Sequence, residues 1–398
     1  MEIEAGQLPV VLASHANRQR EKHRENACMT PMKTILTTTA LTFAAGFANA
    51  QDMAKDMTLV SWGGAYQKSQ DLAYVQPYLE MHPEVSATWD SSSNEAVAKL
   101  RAMNEAGNVT WDVVDVVASD AIRLCDEGLA MEIDPDTQLA AAPDGTSAAD
   151  DFGDLLVSDC FIPQIVYSTT AAYRPDLLPA DAPAPDSICA MFDMETYPGK
   201  RTLEKRPINN MEWALLCDGV AKDEVYDVLA TEEGQQRGLA KLDTIKDQVV
   251  WWSAAAEPPQ LLADGEIVMG TSYNGRWFSA IEEQGQPFKM LWDAQVFDLD
   301  GWIIPAGLSD ERKARALDFI MFATDTQRLA DQAAYISYGP ARASSAPLVG
   351  QHAELGIDMA PHMPTDPNNA KNTFLYNYEF WADYRDDIDA KFQSWLAK

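Results

Sequence analysis

Residues 58–64, Thr-Leu-Val-Ser-Trp-Gly-Gly, decide how the rest of the chain is read. A short apolar strand stops at Trp62, and two glycines turn the chain into a helical pattern from about Tyr66 to Met81. The unit then recurs. Val85 to Trp89 reads as a second strand, and Asn94 to Glu105 as a helix with Ser93 or Asn94 as its N-cap. Trp111 to Ala118 (WDVVDVVA) reads as a buried third strand, followed by a helix through Ala121 to Glu127. This alternation predicts a doubly wound α/β lobe with a mostly parallel sheet.

Beyond it, Cys160 to Tyr167 reads as a strand and Pro175 to Pro185 as a surface loop. Helices are expected over Met211–Val220, Asp223–Leu229, Glu233–Asp243, Pro258–Asp264, Arg276–Glu283 and Asp310–Phe322. Strands are expected over Val249–Trp252, Ile267–Thr271 and Trp302–Pro305, and one or two packed helices over the amphipathic tail Phe374–Lys398.

The 398 residues are 46% hydrophobic and 23% charged, which is ordinary globular composition. Thirty basic residues face 61 acidic ones, a net charge of −31. Nucleic acid and anionic lipid call for a basic footprint, so neither is an expected partner. Net charge speaks to solubility and encounter rather than fold, so the acidity reads first as solubility.

Met32-Lys33 opens a positive n-region, Ile35 to Phe47 is an uncharged apolar run, and Ala48-Asn49-Ala50 is an A-x-A cleavage site. These are the parts of a secretory signal peptide over 32–50. The run is far short of the ~20 residues of a membrane span. Residues 1–31 read as an N-terminal extension from an early start assignment, with Met32 the true start, or else as a long n-region. The expectation is export without membrane insertion, cleavage after Ala50, and a mature periplasmic chain from Gln51.

Cleavage would remove Cys28 and leave Cys125, Cys160, Cys189 and Cys217 in an oxidising compartment. Of three pairings, Cys125–Cys160 and Cys189–Cys217 close the shorter loops, each worth ~3 kcal/mol in the chain-entropy picture. Four buried free thiols are the alternative. No CxxC occurs, which argues against a redox or zinc site.

Little in the sequence supports an enzyme. Of the three mature histidines (His82, His352, His362), none sits in HExxH, and neither a Walker A nor a GxGxxG run is present. Gly270-Thr-Ser-Tyr-Asn lacks the last glycine of a nucleophile elbow, and the Asp298/Asp300 pair reads more plainly as structure than as a metal site. No metal and no cofactor are expected. Instead, aromatic and polar residues stand at strand ends: Trp62-Gly63-Gly64, Ser119-Asp120, Trp252-Ser253, Tyr273-Asn274-Gly275-Arg276 and Asp298 to Trp302. Small ligands bind at the carboxyl ends of strands in α/β sheets, and glycines let a backbone approach them.

A family resemblance runs through residues 56–398. Its segments are SWGGAYQ (61–67), SSNEAVAKLRAM (92–103), WDVVDV (111–116), CDEGL (125–129), YPGKRTLEKRP (197–207), EWALLCDGV (212–220), KLDTIK (241–246), LLADGEIVMGTSYNGR (261–276), DGWIIPAG (300–307) and YGPAR (338–342). In this order they resemble the periplasmic solute-binding proteins of ABC transporters, of the spermidine/putrescine-binding type. The resemblance implies a two-lobed periplasmic-binding-protein fold (type II), each lobe a mostly parallel sheet flanked by helices, with the ligand in the cleft. The expected division is 51–163 plus 301–350 for lobe 1, 164–300 for lobe 2, and 351–398 for a C-terminal loop and packed helices, with crossings near 160–170 and 293–305. It also implies a monomer that closes on a small molecule and docks on a membrane permease.

Polyamine binders grip alkyl chains with aromatics and ammoniums with carboxylates. The resemblance carries Trp62, Tyr273, Trp302, Tyr338 and Asp300 into that role. It also places Arg276, Arg206 and Asn209 at or near positions that are acidic in polyamine binders. A buried Arg opposes a dication and suits a carboxylate. Arg276 with Asp300 therefore suggests a zwitterion such as 4-aminobutyrate. Two further readings stay open: that the pair merely salt-bridges, or that Arg276 braces the hinge. The expected ligand set is completed by Gly63, Gly64, Ser119, Asp120, Trp252 and Asn274. The alternatives are a spermidine/putrescine-binding protein proper, a chemosensory lobe, and, from another class, a secreted α/β hydrolase.

Overall fold

The computed structural model describes residues 53–398. The expected extension 1–31, signal peptide 32–50, cleavage after Ala50 and removal of Cys28 lie outside the described residues. Three short strands open the fold: β1 (Asp56–Val60), β2 (Ser86–Asp90) and β3 (Val113–Val117). Then comes a long one, β4 (Ile162–Tyr173), buried over nearly its whole length. A second trio follows, β5 (Arg201–Glu204), β6 (Val249–Trp252) and β7 (Met269–Tyr273), and then the fifteen-residue β8 (Lys289–Ile303).

Their order is β2-β1-β3-β8-β4-β7-β5-β6. Read from either edge, the pattern is the same. β1 pairs parallel with β2 and β3, and β3 meets β8 antiparallel. β5 pairs parallel with β6 and β7, and β7 meets β4 antiparallel. Each half thus takes its fourth strand from the neighbouring crossing pair. β4 and β8 run antiparallel side by side and join the two lobes of a periplasmic-binding-protein fold.

Apolar side chains divide accordingly. Leu59, Tyr74, Val113, Trp302 and Phe319 share one core; Leu203, Trp213, Leu215, Leu242 and Met269 share another. The burial of large side chains in each core drives the lobes to fold. Cys125–Cys160 and Cys189–Cys217 are bonded, so the short-loop pairing is the one present.

Three expectations need correcting. The strand expected over Trp302–Pro305 is only the end of β8. Its earlier course carries Gln295, Asp298 and Asp300, polar residues that are buried at the crossing and hide the strand pattern. β4 runs on to Tyr173 rather than ending at Tyr167. The helix Thr326–Ala333, with a cap from Asp325, was not anticipated. The tail forms two residues paired with β8 at Val296 and Phe297, then one helix, Tyr378–Leu396.

Candidate functional site

The carboxyl ends of both strand sets point at the crossing. After β1, Gly63 (φ 69) and Gly64 (φ 60) turn the chain into helix α1 (Gly64–Gln70). After β3 the chain passes directly into α2 (Ala118–Asp126), so Ser119 and Asp120 lie in a helical first turn rather than a loop. After β7, Tyr273 caps α3 (Asn274–Phe278), which carries Arg276.

Tyrosines line the meeting point. Tyr66 and Tyr338 meet edge to face at 5.6 Å, Tyr167 lies 6.0 Å from Tyr338 and 5.5 Å from Tyr273, and Trp252 stands edge-on to Tyr273 at 6.0 Å. Trp62 packs against the same cluster. Such walls hold alkyl chains by contact and cations by their ring faces.

Three carboxyls are buried beneath: Asp115 on β3, fully covered, and Asp298 and Asp300 on β8, 8% and 7% exposed. Asp115 Oδ2 accepts from Gln70 Nε2 at 2.5 Å and Gln164 Nε2 at 2.8 Å. Asp298 accepts from the Tyr167 hydroxyl at 2.8 Å. Burial still pushes Asp115 and Asp298 up to about 7, against those bonds. Burial, then the charges of Asp115 and Asp298, push Asp300 well above the usual carboxylate range. A cation placed here would relieve all three.

Arginines supply the other sign. A side-chain carbon on Gly64 would lie only 2.9 Å from Arg276 Nη1, so the guanidinium rests against the first lobe's glycine turn. Arg206 donates to the Tyr273 hydroxyl at 3.1 Å and pairs with Glu204 at 2.7 Å. Burial opposes its charge, but Glu204 and the tyrosines around it keep Arg206 firmly protonated.

Several buried polar atoms at this crossing make no well-formed hydrogen bond: Trp62 Nε1, Tyr66 Oη, Asp115 Oδ1, Asp300 Oδ1 and Arg276 Nε, although Trp62 and Tyr66 stand near enough to Asp115, and Trp62 to Asp300, to favour the charged forms of these acids. Buried polar groups are nearly always paired, and a cluster of exceptions is a candidate place for a ligand or water to supply the partners. Among the described residues, no group of His, Cys, Asp or Glu is placed to hold a metal ion, and no helix is long and apolar enough to cross a membrane.

The structure brings Trp62, Gly63, Gly64, Trp252, Tyr273, Arg276, Asp300 and Tyr338 together, with Arg206 alongside. It places others differently. Trp302 is wholly buried in the first core against Phe319, at 6.0 Å, because its ring fills the layer between sheet and helix. Asn274 accepts from the Ser168 amide at 3.0 Å and donates to the Ser337 carbonyl at 2.5 Å, tying two backbones together. Asp120 accepts from Arg385 of the C-terminal helix. Ser119 is buried beside the Tyr376 hydroxyl. Sequence reasoning passed over Tyr66, Tyr167 and Asp115. An aspartate inside an otherwise apolar buried strand was the available signal for Asp115; the tyrosines carried none.

Residues 73–365 match the family described as bacterial extracellular solute-binding protein. A gamma-aminobutyric acid-binding protein of Pseudomonas aeruginosa is 34% identical over 359 residues, 90% of this chain and 95% of that protein. Among solved structures, the Agrobacterium tumefaciens binding protein MotA with glucopine superposes with a TM-score of 0.74 at 27% identity, covering 86% of this chain and 99% of that one. The Atu4243 GABA receptor superposes with a TM-score of 0.73 at 30% identity, covering 86% and 98%. A Streptococcus pneumoniae spermidine/putrescine-binding protein, at 14% identity and a TM-score of 0.63, shares the fold, covering 86% and 100%.

Proposed function

We propose that this chain, which belongs to the bacterial extracellular solute-binding protein family, holds a small ω-amino acid of the 4-aminobutyrate kind for an ABC importer. The carboxylate docks on Arg276 and the ammonium over Asp115 and Asp300, with Trp62, Tyr66 and Tyr338 around the chain between them. One observation carries this reading: an arginine with an unpartnered buried donor and two buried acids share one aromatic-lined crossing. A zwitterion satisfies both ends; a dication satisfies only one and faces a guanidinium of its own sign. The GABA-binding relative and the GABA receptor agree with it.

The mechanism is capture rather than chemistry. Lobes 51–163 plus 301–350 and 164–300 close about β4 and β8, and the ligand stabilises the closed population. A monomeric chain, exported with cleavage after Ala50, then presents the closed form to a permease. Its net charge of −31 leaves nucleic acid outside the proposal.

Three buried carboxyls amid aromatics favour a second reading, a polyamine. Calorimetry and thermal shift on ligand-stripped mature protein separate the two. At 100 times its Kd a ligand adds about 2.7 kcal/mol of stability. A shift with 4-aminobutyrate and none with putrescine or spermidine is expected, as is loss of at least tenfold in affinity in Arg276→Met. A shift with the diamines alone overturns the proposal.

A further inference from the structure

We propose that Gly64 sets the charge class of the ligand, because its missing side chain is the space that Arg276 occupies when it reaches across from the opposite lobe. The inference rests on the ω-amino-acid reading above and deepens it.

An ideal Cβ on Gly64 would stand 2.9 Å from Arg276 Nη1, 3.5 Å from Nη2 and 3.7 Å from Cζ. Those three atoms are the far edge of the guanidinium, so it lies against the glycine backbone rather than grazing it. Its Nε is buried and unpartnered. On the other side, a Cβ on the preceding Gly275 would stand 2.7 Å from the Tyr338 ring, so the backbone that carries Arg276 lies directly on that tyrosine. The backbone of Arg276 is thus fixed against Tyr338 while its guanidinium rests on Gly64. A side chain at 64 must push the guanidinium sideways, and bidentate recognition of a carboxylate depends on the position of that fork.

Gly63 supplies the control. Both glycines have positive φ, 69 and 60, so a side chain strains the backbone at either one. A Cβ on Gly63 would meet only Ser91, at 3.5 Å, in ordinary contact. Backbone strain is common to the two positions; contact with Arg276 belongs to Gly64 alone.

The experiment measures Kd for 4-aminobutyrate and putrescine by calorimetry on mature wild type, Gly63→Ala, Gly64→Ala and Gly64→Asp, with melting curves to confirm folding. Gly64→Asn, which takes the left-handed region more readily, replaces the alanine variant if that does not fold. Expected are a loss of about tenfold or more for 4-aminobutyrate in Gly64→Ala, and a clearly smaller loss in Gly63→Ala, which shares the backbone strain but not the contact with Arg276. Gly64→Asp, which places a carboxylate on Arg276 and cancels its charge, is expected to lose 4-aminobutyrate and gain putrescine. Equal losses at 63 and 64, or unchanged binding in Gly64→Ala, overturn the role of Gly64 while wild-type binding leaves the ω-amino-acid reading standing. Wild type that ignores 4-aminobutyrate overturns both.

Discussion

Arg385, on the C-terminal helix, donates to Asp120 at the start of the helix after β3, at 2.5 Å and 265 residues away in sequence. Trp381, Phe392 and Trp395 root that helix in the second core. One turn along, Arg123 grips Asp386 with both terminal nitrogens, at 3.2 and 2.5 Å. The tail thus straps the two halves together, and Asp120 belongs to the strap.

Removing one partner leaves a largely buried carboxylate alone. Arg385→Met is expected to cost about 1–3 kcal/mol, and Asp120→Asn in the same chain to recover part of it. Urea unfolding of both single variants and the double one checks this. Strictly additive losses would mean that the two residues do not act as a pair.

Trp302 separates core from ligand contact. Trp302→Ala is expected to lose about 3–5 kcal/mol of stability, while the folded protein keeps its Kd for 4-aminobutyrate. Tyr338→Ala is expected to weaken binding. Calorimetry below each variant's melting range distinguishes them, and an affinity loss in Trp302→Ala would return that residue to the site.

Glu212, fully buried, accepts from Trp381 Nε1 at 2.7 Å and the Tyr226 hydroxyl at 3.3 Å, and burial still raises it to about 7. An unfolded glutamate titrates near about 4.3. Between those values the folded state holds the extra proton, so its contribution is full at low pH and is lost as pH rises toward 7. Wild-type stability should therefore fall from pH 5 to 8, and Glu212→Gln should flatten part of that slope. Chemical melts at pH 5, 6, 7 and 8 test it; an unchanged slope removes Glu212 as its source.

The raised carboxyls of the cleft give ligand affinity a pH dependence of the opposite sense. Asp115 and Asp298, pushed up to about 7, lose protons between pH 6 and 8 and so attract an ammonium more strongly. Affinity for 4-aminobutyrate should rise over that range, with proton release seen as a buffer-dependent heat of binding. Asp115→Asn should remove much of the effect.

Each disulfide closes a loop, with partners 35 and 28 residues apart. Reduction should cost about 3–4 kcal/mol per bond in the chain-entropy picture. Melting of wild type and of the Cys189→Ser/Cys217→Ser variant, with and without reductant, measures each separately. Identical melts for reduced and oxidised wild type would contradict it.

Local pattern carried much of this protein. Strand–helix alternation from Thr58 onward, the glycine turn at 63–64 and the spacing of four cysteines each depend on neighbours close in the chain, so they were legible there. Comparison with the motifs of polyamine binders was enough to single out Arg276 and Asp300 for attention. What the tertiary structure alone decided is which side chain meets which. It sent Trp302 into the core, occupied Asp120 with Arg385, gathered Asp115 with Tyr66 and Tyr167, and laid Arg276 against Gly64. Those pairings arise where β4 and β8 cross and segments hundreds of residues apart become neighbours. Burial there, not residue type, determines which charges stay paired and which remain open to a ligand.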